Sequence, residues 1–148
     1  MPIAVIAPTG ALTPTGEREI VPRLTEALID VSGLTGNSFF TPMVAGVLHL
    51  LDPQHVHAAG SPASLVLIEL KLPDIGLPSV EARRAFVERA TDIAFALMTP
   101  GHERDAVRVN IVNAPAGGWG MGGVAYTGEG LAAAIGEAAA AESNPVTA

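Results

Sequence analysis

Apolar residues run without a break from Pro2 to Ala7 and stop at Pro8-Thr9-Gly10. A short continuous run of this kind predicts a strand covered on both faces, or one that faces a partner. Thr13-Pro14 then offers an N-cap followed by proline at the first helical position. Behind it Ile20, Leu24, Ala27, Leu28 and Val31 recur at helical spacing up to Gly33. Pro22 lies inside this first helix and should remove one hydrogen bond and bend the axis. Met43 to Leu51 reads as a second strand, Asp52-Pro53 turns it toward a short extended piece at His55 to Ala58, and Ser64 to Leu72 is a third strand rich in aliphatic residues. Pro73 to Pro78 breaks that strand. Ser79, with Glu81 and Glu88, starts a second helix whose apolar face carries Val80, Phe86, Val87, Ala90, Ile93, Ala94 and Leu97, ending near Pro100-Gly101. Val107 to Val112 is a fourth strand, and Ala116 to Gly123 is glycine-rich enough to be a turn or bulged hairpin. Ala132 to Ala141 predicts a final alanine-rich helix, with Asn144 to Ala148 frayed.

The order is strand, helix, strand, repeated once. A shift of 62 residues lays Val47 on Val109, Leu50 on Val112, Pro53 on Pro115, Gly60 on Gly122 and Pro2 on Ser64. The chain reads as an internal duplication, with pseudo-repeats over about 2–60 and 63–123 and a tail at 124–148, all in one domain spanning 1–148. The expected fold class is α+β: two fused β-α-β units form a four-stranded sheet with two helices on one face, plus short hairpin strands.

Composition narrows the function classes. In 148 residues, 49% are apolar but only 4% aromatic, so small aliphatic side chains must fill the core. The net charge is −7, and Lys71 with seven arginines makes no basic stripe, which excludes a nucleic-acid partner. The chain has no cysteine, hence no disulfide framework and no thiolate chemistry. The apolar opening lacks a basic n-region and is broken by Pro8 and Gly10, unlike a signal peptide, and no apolar run reaches the ~20 residues that span a bilayer. A cytoplasmic protein with no membrane partner is expected, its apolar surplus buried between subunits.

His49, His55 and His57 lie close in sequence and His102 stands alone, but no carboxylate or cysteine completes a recognisable ligand set, so no metal site is expected. Gly117 to Gly123 follows a strand without opening a helix and carries no lysine, and is better read as a hairpin than as a phosphate loop.

Met1-Pro2-Ile3-Ala4, taken with Val107-Arg108-Val109-Asn110-Ile111-Val112 and Gly118-Trp119-Gly120-Met121-Gly122-Gly123, resembles the tautomerase superfamily, specifically 4-oxalocrotonate tautomerase (4-OT). Leu12-Thr13-Pro14 and Gly33-Leu34-Thr35-Gly36 are similar to the fused member cis-3-chloroacrylic acid dehalogenase, and Ala45 to Leu72 is similar to macrophage migration inhibitory factor (MIF). Together these cover most of residues 2 to 123. The resemblance implies that Met1 is removed and that Pro2, as a free N-terminal secondary amine, is the catalytic base. It implies that Arg108 is the active-site arginine, with Asn110 and Trp119 as substrate-binding residues, and that the chain assembles as a homotrimer.

Physical chemistry agrees with such roles. An N-terminal amine in an apolar pocket near a cation has a lowered pKa and can accept a proton near neutral pH without a cofactor. Arg108 offers a bidentate fork for a carboxylate, Asn110 lies two residues on along the same strand face, and Lys71 is a candidate second cation. The expected reaction is keto–enol tautomerisation of a 2-oxo acid, with no cofactor and a small-molecule carboxylate as substrate. The alternatives within the superfamily are a decarboxylase, a hydratase or dehalogenase, and a non-catalytic signalling or structural trimer. Two departures bear on these. Val31 and Lys71-Leu72-Pro73 stand where the dehalogenase has a histidine and paired arginines, which weighs against dehalogenation and hydration. The uncharged loop Thr9 to Thr15 lacks the arginine with which 4-OT grips a far carboxylate, which points to a monocarboxylate.

Overall fold

The computed structural model describes residues 1–144. Strand β1 (Pro2–Pro8) leads into helix α1 (Pro14–Val31) and returns as β2 (Ala45–Leu51), which lies parallel to β1. After two short strands, β3 (His57–Ala58) and β4 (Ser61–Pro62), the same order recurs as β5 (Val66–Leu72), α2 (Val80–Leu97) and β6 (Val107–Asn113), with β6 parallel to β5. The two units meet at β1 and β5, which are antiparallel, so the sheet order is β2-β1-β5-β6. A hairpin of β7 (Trp119–Met121) and β8 (Val124–Tyr126) follows, and helix α3 (Gly128–Ser143) completes the described chain.

Both long helices start where the sequence places a cap. The Thr13 and Ser79 hydroxyls accept hydrogen bonds from the N–H groups of Gly16 and Ala82, at 2.9 and 3.0 Å. Pro22 does not break α1. Its ring sits on the exposed side of the helix, where water can satisfy the carbonyl that loses its partner. The core lies between the sheet and the helices: Ile3, Val5 and Ala7 of β1 and Val66, Ile68, Leu70 and Leu72 of β5 are buried with Ile20, Leu24 and Leu28 of α1 and Phe86, Ala90 and Ala94 of α2. Gly16 allows the helices to meet, since a Cβ there would stand 2.4 Å from the Leu97 carbonyl oxygen.

Several boundaries differ from the sequence reading for local reasons. The second strand begins at Ala45, because Thr41–Met43 closes a 3-10 turn with the Met43 N–H on the Phe40 carbonyl. The third begins at Val66. His55 belongs to a 3-10 turn, Pro53–His55, capped by the Asp52 carboxylate, and only His57–Ala58 is extended. Val80 and Val87, expected on the apolar face of α2, are exposed on its flank. The last helix starts at Gly128, four residues earlier than the alanine run suggests, because the Thr127 hydroxyl caps it through the Gly130 N–H. The expected fraying of Asn144 to Ala148 lies outside the described residues beyond 144. Among the described residues no helix is long and apolar enough to cross a membrane.

Candidate active site

β1 alternates, with Ile3, Val5 and Ala7 pointing into the core and Pro2, Ala4 and Ile6 pointing to the helix-free face. The same alternation on the other strands puts Val47 and His49 of β2, Glu69 and Lys71 of β5, and Arg108, Asn110 and Val112 of β6 on that open face. The register fixes their neighbours. Ile3 pairs with Leu70, so Pro2 stands opposite Lys71, whose ammonium is 3.9 Å from the Glu69 carboxylate. Asn110 pairs with Glu69, which pairs with Ala4. Arg108 pairs with Leu67, which pairs with Ile6, four residues from Pro2.

Within one chain the structure therefore brings Pro2 and Lys71 together but holds Pro2 and Arg108 apart. Four residues along the strands is about 13 Å and two strand spacings about 10 Å, a separation of about 16 Å that one arginine side chain does not span. The open face is also strongly apolar for a solvent surface, with Val47 at 49% and Val112 at 51% exposure.

The N-terminus occupies a different environment from the open face. Met1 precedes Pro2 here, so the Pro2 nitrogen is an amide and carries no basic lone pair. Met1 itself is buried, its amine donates a hydrogen bond to the Met43 carbonyl, and its own carbonyl accepts from the Ala45 N–H at 3.1 Å. Burial lowers the pKa of that amine from 8.0 to about 6.

Met1 also lines a cavity of about 140 Å³ enclosed by the end of α1, the segment after β5, and α3. Its walls include Val31, Leu34, Phe40, Leu72 and Leu77, and no charged side chain lines it. The segment from Pro73 to Pro78 is pinned by Asn113, whose side-chain amide donates to the Pro73 and Gly76 carbonyls at 2.9 and 2.7 Å, and by Arg83, which donates to the Leu77 carbonyl at 2.9 Å. Sequence reasoning missed Asn113. Its signal was weak, a polar residue on the core-facing side at the end of an otherwise aliphatic strand.

Trp119 does not line this cavity. It packs against Tyr126 with ring centroids 5.7 Å apart, and Tyr126 in turn meets Phe39 edge-on at 6.1 Å, so the aromatic cluster ties the β7–β8 hairpin to the segment before β2. The histidines do not converge. The His102 ring bonds the Thr99 carbonyl and the Ser64 hydroxyl at 2.7 and 2.9 Å, and among the described residues no group of three histidine or carboxylate side chains could hold a metal ion.

The sequence matches no family model and no curated protein. Solved structures do share its architecture. A fused 4-OT solved as a symmetric trimer superposes with a TM-score of 0.71 at 19% identity, over 88% of this chain and 98% of that one. The FG41 malonate semialdehyde decarboxylase inhibited by 3-bromopropiolate gives 0.65 at 20% identity, over 84% and 92%. The MIF of Toxoplasma gondii gives 0.66 at 13% identity, over 85% of this chain and all of that one, 100%. The chain thus has the α+β fold of the tautomerase superfamily, with its four-stranded mixed sheet and, in this chain, a third helix.

Proposed function

We propose that this chain is a cofactor-independent tautomerase in which the Pro2 imino nitrogen, freed by removal of Met1, is the general base for keto–enol tautomerisation of a 2-oxo acid. The observation that supports this reading is the place of Pro2 at the start of β1, opposite Lys71, in a fold shared with a fused 4-OT. Pro2 itself is exposed on the open face of β1, so removal of Met1 leaves its nitrogen open to a substrate. The base takes the enol O–H proton or a C3 proton of the keto form and returns it to the other position, so proton and charge balance with no further reactant.

In this reading the chain is a homotrimer and the guanidinium that holds the substrate carboxylate is Arg108 of the partner subunit, since the chain's own Arg108 is out of reach. Asn110 accompanies it on the same strand face and bonds the substrate oxygen. Lys71, opposite Pro2, is a second cation for the substrate carboxylate. Trp119 acts indirectly, by fixing the hairpin.

A base and an acid have opposite pH dependence, which separates this reading from a decarboxylase like the FG41 relative. The kcat/KM for phenylpyruvate enol should be flat above the pKa of the Pro2 amine and fall tenfold per pH unit below it, because protonation removes the base. Turnover of a 3-oxo acid that rises toward low pH would support decarboxylation by a protonated Pro2 instead. Intact mass must show loss of Met1 in the active protein. Arg108→Ala should raise KM about ten- to a hundredfold, the loss of one charged hydrogen-bonding partner of ~1.5–3 kcal/mol. Unchanged turnover in both Pro2→Ala and Arg108→Ala would refute the assignment.

A further inference from the structure

At the end of the sheet away from Pro2, two side chains that the tautomerase reaction does not use stand in contact. Ile6 pairs with Leu67, so the end of β1 at Pro8 and the segment ahead of β5 at Ser64 lie side by side, about 20 Å along the strand from Pro2. There the His102 ring is held at both nitrogens: Nδ1 lies 2.7 Å from the Thr99 carbonyl and Nε2 lies 2.9 Å from the Ser64 hydroxyl. A carbonyl oxygen only accepts, so Nδ1 carries the ring proton. In the neutral ring Nε2 is then an acceptor, and the Ser64 hydroxyl donates to it. The orienting carbonyl is itself fixed, because the Thr99 N–H donates to the Ala11 carbonyl at 2.9 Å and the Thr99 hydroxyl to the Gly10 carbonyl at 3.0 Å. Gly101, at φ +97°, makes the tight turn that brings His102 back to Thr99. His102 is half-buried and Ser64 is exposed, lining an open pocket of about 220 Å³ with Pro8, Thr9, Pro53, Pro62 and Ala63.

We propose that Ser64 is a nucleophile activated by His102, and that the pocket beside it takes small activated acyl esters. A hydroxyl bonded to an unprotonated imidazole nitrogen, with the other ring nitrogen fixed by a third group, is the arrangement that nucleophilic acyl transfer uses. The Ser64 Oγ forms a bond to the ester carbonyl carbon while Nε2 takes its proton. The bond from that carbon to the leaving oxygen then breaks, and the leaving oxygen takes the proton from Nε2. A water molecule repeats the sequence on the acylated serine, releasing the carboxylic acid and restoring Ser64, so ester and water give acid and alcohol. At the pocket, the N–H groups of Thr9 and Ala63 are already spent on the Leu51 and Val56 carbonyls, both at 2.9 Å. They offer nothing to a developing oxyanion, which restricts the class to aryl esters, whose leaving group departs readily. Three prolines make the wall rigid and apolar, suited to a short acyl chain.

The experiment treats the full-length wild type, Ser64→Ala and His102→Gln with p-nitrophenyl acetate, quenches in acid and locates the acetyl groups by peptide mass. Ser61, exposed on β4 three residues away, is the internal reference. In the wild type Ser64 should acquire acetyl at least tenfold faster than Ser61. His102→Gln, whose amide can still bond Thr99 but cannot take a proton, should slow Ser64 acetylation about a hundredfold, on the order of what a positioned base contributes. Ser64→Ala should lose most of the p-nitrophenolate release that the wild type shows. Even if a variant fails to fold, the wild-type comparison decides: equal labelling of Ser64 and Ser61 overturns the proposal. Acetylation confined to Lys71 or the N-terminal amine overturns it too, and so does a folded His102→Gln that labels Ser64 at the wild-type rate.

Discussion

A chain carrying a Gly-Ser extension ahead of Pro2 is expected to lose at least a hundredfold of its enol–keto turnover. Acylation converts the Pro2 nitrogen from an amine into a tertiary amide, and a positioned general base contributes ~10²–10⁴-fold to proton transfer. With Met1 in place, its backbone bonds Met43 and Ala45 and the Pro2 nitrogen is part of a peptide bond. The serine takes the Met1 position, where its carbonyl can still accept from the Ala45 N–H, and far-ultraviolet circular dichroism checks that the protomer fold is kept. Pro2→Ala, which keeps a free but primary amine, should fall between the extended chain and wild type. If the extended chain turns over enol as fast as the processed protein, the proton goes elsewhere and the mechanism is wrong.

The largest effect on stability should come from Phe86→Ala, at about 3–5 kcal/mol. Phe86 heads the fully buried side chains and belongs to the cluster that joins α2 to α1 and the sheet. In a chain with only four phenylalanines and one tryptophan, few residues could repack to refill the space. Against a total of ~5–15 kcal/mol for an ordinary domain, that loss is a large share. Urea titration at one fixed protein concentration should show a lower midpoint with an unchanged slope. A shift below 1 kcal/mol would mean that the helices close over the cavity.

The β-α-β order, present twice, the caps at Thr13 and Ser79, and the core faces of β1 and α1 were legible in the sequence, because each depends on residues within a turn or two of one another. The hairpin after the fourth strand was legible for the same reason, through its glycines. The start of α3 was not, since Gly128 and Gly130 read as breakers until the Thr127 hydroxyl is seen capping the first turn. Val80 and Val87 were misplaced because helical spacing gives a stripe but not which edge of it a neighbour covers.

The candidate site was legible as a set of residues and not as a place. Pro2, Lys71, Asn110 and Arg108 all lie on one face by strand alternation, which sequence can supply. Their distances depend on which strands adjoin and in what register, and only the antiparallel β1–β5 junction puts Lys71 beside Pro2 and Arg108 about 16 Å away. The burial of the N-terminal amine, the Asn113 clamp on the segment after β5 and the place of Ile135 on the wall of the apolar cavity likewise join parts of the chain that are far apart in sequence. Local pattern fixes which way a side chain points along its own element. Pairing and packing between elements decide what it meets there, and no spacing within one element encodes that.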